Sequence, residues 1–147
     1  MPIQGFGRDR DGVAGMKSVL FRGWRKNAGV EEVRLESDEI TVHIVPGSEP
    51  LTVAAKGRMT VDSSPYLRSV ILGLLRRATA PVVIIDLSDV SYLDMSGIAT
   101  LLEALKAAGE RSVKLRLAGI SGQVRTLAEI VQLDTIFRAW GSEVEFR

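Results

Sequence analysis

Asp94-Met95-Ser96-Gly97 stands where a hydrophobic stretch, "VVIIDLSDVSYL" from Val82 to Leu93, passes into the helical pattern "IATLLEALKAAG". A carboxylate two residues before a hydroxyl, with a glycine beside it, is a set of types that several chemistries use. A serine at a helix start caps free backbone N–H groups, a structural duty worth about 1 kcal/mol, and a neighbouring glycine eases the tight entry. The same hydroxyl, given a base, is a nucleophile. Exposed at a strand-to-helix junction, it is also a place to attach a phosphoryl group, and capping does not exclude that use.

A serine nucleophile needs a base within hydrogen-bond reach, and the chain has one histidine, His43. It falls on the more polar side of the alternating segment "EITVHIV", which reads as a surface or edge position. The G-x-S-x-G elbow is absent, because Asp94 stands two residues before Ser96. A hydrolase is disfavoured, and no catalytic residue is assigned. Asp86 offers a different chemistry, since a receiver domain carries its phospho-accepting aspartate at the end of a hydrophobic strand. A receiver also needs an acidic pair for magnesium after its first strand. Here the corresponding places hold only "VPGSEP" or "KGRMTVD", and the acceptor loop lacks its proline. Phosphorylation of Asp86 is therefore the lesser alternative.

The elements that must position these residues follow from hydrophobic periodicity. Ile40, Val42 and Ile44 alternate with Thr41 and His43, and "LTVAAKG" resumes after the "PGSEP" break, so the two read as a β-hairpin. Ser64 as N-cap and Pro65 in the first turn predict a helix start, followed by an apolar stripe of Leu67, Val70, Ile71, Leu74, Leu75 and Ala78. Arg76 and Arg77 suit its last turn and Pro81 stops it. "VVIIDL", Val82 to Leu87, reads as a strand covered on both faces, with "SDVSYLDM" as the loop after it. A helix opened by Ser96 buries Ile98, Leu101, Leu102 and Leu105 and stops at Gly109. "VKLRLAG" is a further strand. "SGQVRTLAEIVQL" is a helix capped by Ser121, with Val124, Leu127, Ala128 and Val131 inward, and "IFRAW" ends in a short strand. The order ββ, then α, β, α, β, α, β, predicts an α/β fold with a largely parallel sheet and right-handed crossovers.

The bulk numbers narrow the function classes. A chain of 147 residues with 46% hydrophobic content suits one domain with a proper core. Nineteen basic against eighteen acidic side chains give no reason to expect a nucleic-acid partner. The absence of cysteine excludes disulfides, thiolate zinc sites and cysteine nucleophiles, and one histidine builds no histidine-rich metal site. No metal or cofactor is expected. No apolar run reaches the roughly 18–20 residues of a membrane span, and no signal peptide is legible, so a cytoplasmic protein is expected. Residues 1 to about 35 read as a flexible, glycine-rich basic tail, with the domain over 36–147. Arg8, Arg10, Lys17, Arg22, Arg25 and Lys26 face only Asp9 and Asp11 over residues 1–29. With Trp24 and Phe21 this segment could touch an anionic membrane, but an uninformative leader, with a start at Met16, is the preferred reading.

Residues 39 to 140 resemble the STAS family, the domain of anti-sigma factor antagonists and of sulphate-transporter tails. The resemblance is carried by the opening hairpin, by "KGRMTVDSSPYLRSVILGLL", by "VVIIDLSDVSYLDMSG" and by "LRLAGISGQVRTLAEIVQLDTIF". It implies a STAS-like fold: an N-terminal β-hairpin, then alternating helices and strands forming a mixed, largely parallel sheet with helices packed on it. It further implies a non-enzymatic bacterial binding protein, phosphorylated on Ser96 by a partner serine kinase that is itself the anti-sigma factor. Asp94 and Gly97 match the family's flanking positions, and the docking surface implied around the helix start is Asp94, Met95, Ser96, Gly97 and Ile98. A PP2C-type phosphatase would reverse the modification. The other role the resemblance allows is a STAS subunit of a transporter or lipid-trafficking complex, or a signalling scaffold.

Overall fold

The computed structural model describes residues 33–36, 39–45 and 50–146. Among them six strands form one sheet in the order β1-β2-β3-β4-β5-β6: β1 Val33–Glu36, β2 Ile40–Val45, β3 Leu51–Met59, β4 Val82–Leu93, β5 Lys114–Ile120 and β6 Glu143–Phe146. Four helices connect them: α1 Ser64–Arg77, α2 Met95–Glu110, α3 Gly122–Ile130 and α4 Leu133–Ala139. The β1–β2 and β2–β3 pairings are antiparallel, and the β3–β4, β4–β5 and β5–β6 pairings are parallel. The expected hairpin and the mixed, largely parallel α/β sheet are thus present.

Each parallel step moves one strand onward in the same direction. Right-handed crossovers then lay every connecting helix on one face of the sheet. The burial pattern follows: Val53, Ala55, Val83, Ile85, Leu87, Leu115 and Leu117 are buried beneath the helices. Their alternates Thr52, Ala54, Ile84, Asp86, Arg116 and Ala118 are only half-buried. The expectation that β4 is covered on both faces is corrected accordingly. Its unbroken apolar run supplies one fully buried row and one partly wet row.

Other boundaries shift for local physical reasons. The expected tail lies outside the described residues up to residue 32, but residues 33–35 belong to β1, so the sheet begins before the expected domain boundary at 36. The "PGSEP" turn falls outside them at 46–49. Strand β4 does not stop at Leu87. Register shifts between Ala54 and Lys56 and between Gly57 and Arg58 keep β3 and β4 paired as far as Met59 and Leu93, through the polar "SDVSY". Gly109 lies inside α2. The residue that turns left-handed after the helix is Ser112, at φ 59°, with the Val113 N–H closing onto the Ala108 carbonyl at 2.8 Å. "IFRAW" is not a strand: Gln132, at φ 56°, interrupts the chain after α3, and α4 then buries Leu133 and Phe137. The last strand is β6.

The core sits between the helices and the inner face of the sheet, around Leu67, Ile71, Leu75, Ile85, Leu93, Leu101 and Phe137, all essentially without solvent exposure. Burying a side chain of this size contributes about 1.5–3 kcal/mol. No helix among the described residues is long and apolar enough to cross a membrane.

Candidate functional site

Strands β3 and β4 end side by side, with Met59 paired to Leu93. The Asp94 N–H donates to the Met59 carbonyl at 3.1 Å. The β3–α1 turn and the start of α2 therefore share one edge of the sheet, beyond the carboxyl ends of its parallel strands, where ligand and docking surfaces of α/β folds collect. The side chain of Gln123, on α3, clamps the end of β4, donating to the Leu93 carbonyl at 2.8 Å and accepting its N–H at 2.9 Å.

Asp94, not Ser96, caps α2. Its backbone is extended, at φ −112° and ψ −173°, and its Oδ1 accepts the N–H groups of Ser96 at 2.9 Å and Gly97 at 3.2 Å. Both residues are good cap formers. Asp94 holds the position because its carboxylate reaches the second and third helical residues, whereas Ser96 is itself the second. The other carboxylate oxygen, Oδ2, accepts the Val61 N–H at 3.1 Å and so ties the β3–α1 turn to the helix. Partial burial works to raise the Asp94 pKa. Hydrogen bonds from the Ser96 hydroxyl and from the backbone of Gly97, Ser96 and Val61 outweigh it, and the carboxyl ionises below its usual range.

The Ser96 hydroxyl is half-buried and donates to Asp94 Oδ1 at 2.6 Å. Ser64, on the first turn of α1, places its Oγ 3.3 Å from Ser96 Oγ. Because Ser96 has one proton and Asp94 receives it, Ser64 is the donor of that second bond. Ser64 was expected to cap α1. Ser63 holds that position instead, with its hydroxyl turned back to accept the Thr60 N–H at 2.9 Å and donate to the Arg58 carbonyl at 2.7 Å. Ser121 stands at the cap of α3 as expected, but its side chain makes no capping bond.

The remaining expected residues separate by exposure. Met95 is 57% exposed, and Val61, whose N–H binds the preceding Asp94, is 66% exposed. Gly97 is buried, and a Cβ there would lie 2.3 Å from Leu93 Cδ1 and 3.1 Å from both Met59 Cβ and the Met59 carbonyl oxygen. Ile98 is 2% exposed and belongs to the core, which corrects its expected place on a docking surface. Asp86 lies within β4, not at its end, and its Oδ1 is taken by the Ser88 hydroxyl at 2.6 Å and the Ser88 N–H at 2.9 Å. Among the described residues no group of three or more His, Cys, Asp or Glu side chains is placed to hold a metal ion. Val61, Ser64 and Gln123 went unnoticed in the sequence as site residues. Only the parallel β3–β4 register brings Val61 and Ser64 to Asp94 and Ser96, and no local motif announces it.

A two-sided hydroxyl-carboxylate cluster on the edge of a hairpin-led, one-sided α/β sheet defines a class of domain. Residues 39–145 match the family model of the STAS domain, and the chain belongs to that family. Among curated proteins it is similar to the anti-sigma-B factor antagonist of Staphylococcus aureus, 29% identical over 94 residues that cover 63% of this chain and 86% of the relative. The protein of the same name from Staphylococcus epidermidis shows the same identity and coverage. Among solved structures, an anti-sigma factor antagonist from Mycobacterium paratuberculosis shares the fold, with a TM-score of 0.60 at 22% identity over 68% of this chain and 84% of that one.

Proposed function

We propose that this protein is a non-enzymatic anti-sigma factor antagonist gated by phosphorylation of Ser96. Unmodified, it binds an anti-sigma factor that is a serine kinase and so releases a sigma factor. Modified, it lets go, and a PP2C-type phosphatase restores it. The observation that carries this reading is the Ser96 hydroxyl itself, half-exposed on the first turn of α2 with its proton directed onto Asp94. The relatives named above are antagonists, which supports the binding role.

The chemistry is that of an acceptor, not of a catalyst. Ser96 Oγ forms a bond to the γ-phosphorus of a nucleoside triphosphate held by the kinase, the bridging P–O bond breaks, and the diphosphate leaves. The hydroxyl proton passes to Asp94 Oδ1, onto which it is already directed, and from there to solvent. A phosphoserine then adds about −1.5 to −2 charges. The fold tolerates it, since Asp94 keeps its backbone donors from Ser96, Gly97 and Val61. An interface seated on the exposed apolar side chains of Met95 and Val61 does not. Taking that dianion out of water into such an interface costs several kcal/mol even where a neighbouring cation meets it, a loss of about a hundredfold or more in affinity.

Native extract passed over the immobilised full chain tests the reading. Ser96→Ala and unmodified protein should capture the same serine kinase, and Ser96→Asp should bind it at least about a hundredfold more weakly by calorimetry. Equal binding by the two variants removes the gate.

A further inference from the structure

We propose that Arg68 is the residue that holds the phosphoryl group on Ser96, exchanging its present partner Glu103 for it, with Ser64 donating to the same group. The inference rests on Ser96 being the modified residue and concerns what the fold does with the new charge.

Ser64 and Arg68 are four residues apart on α1 and so stack on one face of that helix. Both already touch α2. Ser64 Oγ is 3.3 Å from Ser96 Oγ, and Arg68 pairs with Glu103 through Nε to Oε1 and through Nη2 to Oε2 at 3.2 Å. Arg68 stands about 6 Å along the axis from Ser64, and a helical side chain leans toward the N-terminus of its own helix. For Arg68 that is the direction of Ser64, and therefore of Ser96.

The present pair is easily given up. The side chains of Arg68 and Glu103 are 49% and 47% exposed, so water screens their attraction. A phosphoryl group offers nearly twice the charge of a carboxylate and three acceptor oxygens, and the planar guanidinium fork binds two of them at once. Esterification also dictates the direction. The proton that Asp94 Oδ1 received is gone, so the carboxylate repels the group that replaced it. The remaining polar neighbour of Ser96 Oγ is the hydroxyl of Ser64, which is 6% exposed and keeps its proton to donate. The phosphoryl group turns from Asp94 to α1, where Arg68 meets it. Glu103 is released to solvent about two turns farther along α2, so modification adds a charge at one place on this surface and unmasks one at another.

The test uses the full chain with phosphoserine incorporated at position 96 during translation, so that no kinase is needed. Phosphorus NMR at 0.15 M salt reads the second ionisation of that group. Besides Arg68, the charged side chains on the surrounding elements are Asp62 in the β3–α1 turn, Arg76 and Arg77 on α1, Asp94 at the start of α2 with Glu103, Lys106 and Glu110 along it, and Lys56 and Arg58 on β3. Arg68→Gln, a change at an exposed position, should raise the second pKa by about half a unit or more, a threefold change in the acid constant. Glu103→Gln should lower it by freeing the arginine, and that shift should largely vanish in the Arg68→Gln background. An Arg68→Gln titration that superimposes on the parent overturns the proposal, as does a Glu103→Gln shift that persists undiminished without Arg68. Failure here leaves the gate standing, whereas equal partner binding by the Ser96 variants sinks the gate and leaves this titration interpretable.

Discussion

Oδ1 of Asp94 receives the hydroxyl proton of Ser96 across 2.6 Å while it accepts the Ser96 and Gly97 N–H groups at 2.9 and 3.2 Å. One carboxylate oxygen therefore starts the helix and aims the hydroxyl. The other binds the Val61 N–H, joining two loops that are 33 residues apart in the chain. Helix geometry and hydroxyl orientation cannot be altered independently through this residue.

Removing the cap should cost stability in proportion to what replaces it. Asp94→Ala leaves the first N–H groups of α2 and that of Val61 without their side-chain acceptor, and should lower unfolding stability by about 1–2 kcal/mol. Asp94→Asn keeps an acceptor oxygen and should cost distinctly less. Urea titrations followed by circular dichroism decide it. An alanine variant as stable as the parent would mean the cap carries no weight.

The charge of Asp94 has its own pH signature. Its folded pKa lies below the unfolded value, because the hydrogen bonds outweigh burial. Such a group contributes stability that is complete above the unfolded pKa and is lost as pH falls through the folded one. The stability gap between the parent and Asp94→Asn should be constant from pH 7 to 5 and close below about pH 4. Glu103 is also held low, by its hydrogen bond to Arg68, against the opposing effect of burial. It is present in both proteins and cancels from the difference. A gap that widens in acid would reverse the assignment.

How far the sequence revealed this site depends on the range of the interaction. The hairpin was legible from the alternation of Ile40, Val42 and Ile44, and α1 from the stripe through Leu67, Ile71 and Leu75, because burial imposes those periods directly. Strand β4 was read too short because "SDVSY" is polar. Its outer row faces solvent, and bulged pairing to β3 extends it with no apolar signal. "IFRAW" suggests a short strand because four apolar residues around Arg138 are too few to show a decisive period. The left-handed Gln132 that restarts a helix there carries no signature. Asp94 and Ser96 were recognised as a pair, but which one caps depends on the point where the helix begins, the least legible feature of a boundary. The approach of Ser64 to Ser96 spans 32 residues and exists only through the parallel register of β3 and β4.

Asp86 should not behave as a phosphate acceptor. Its Oδ1 already takes two bonds from Ser88, and Gly119, at φ 75°, packs against this stretch of β4 so closely that a Cβ would lie 2.1 Å from Ser88 Oγ. Incubation with acetyl phosphate and magnesium should leave the intact mass unchanged. An acid-labile gain of one phosphoryl group, lost in Asp86→Asn, would revive the receiver-like alternative.

Gly97 is the position where sequence type and packing are most tightly bound. Alanine is the better helix former by about 1 kcal/mol in a helix interior, so propensity alone favours Gly97→Ala. Crowding decides the other way. The added methyl would meet Leu93 Cδ1 at 2.3 Å and the Met59 Cβ and carbonyl oxygen at 3.1 Å. Met59 and Leu93 are both completely buried, and the Met59 carbonyl is held by the Asp94 N–H. Either the buried Leu93 side chain takes another rotamer or the helix start lifts from the ends of β3 and β4, and the 3.1 Å contacts to Met59 favour the second. Overpacking of this kind costs about 1–3 kcal/mol, and a net loss of stability in urea is expected. The displaced first turn carries Ser96 with it, so the amide shift of Ser64 on α1 should move as well. A Gly97→Ala variant at least as stable as the parent, with Ser64 unperturbed, would show that the close approach of α2 to the strand ends does not set the position of the hydroxyl.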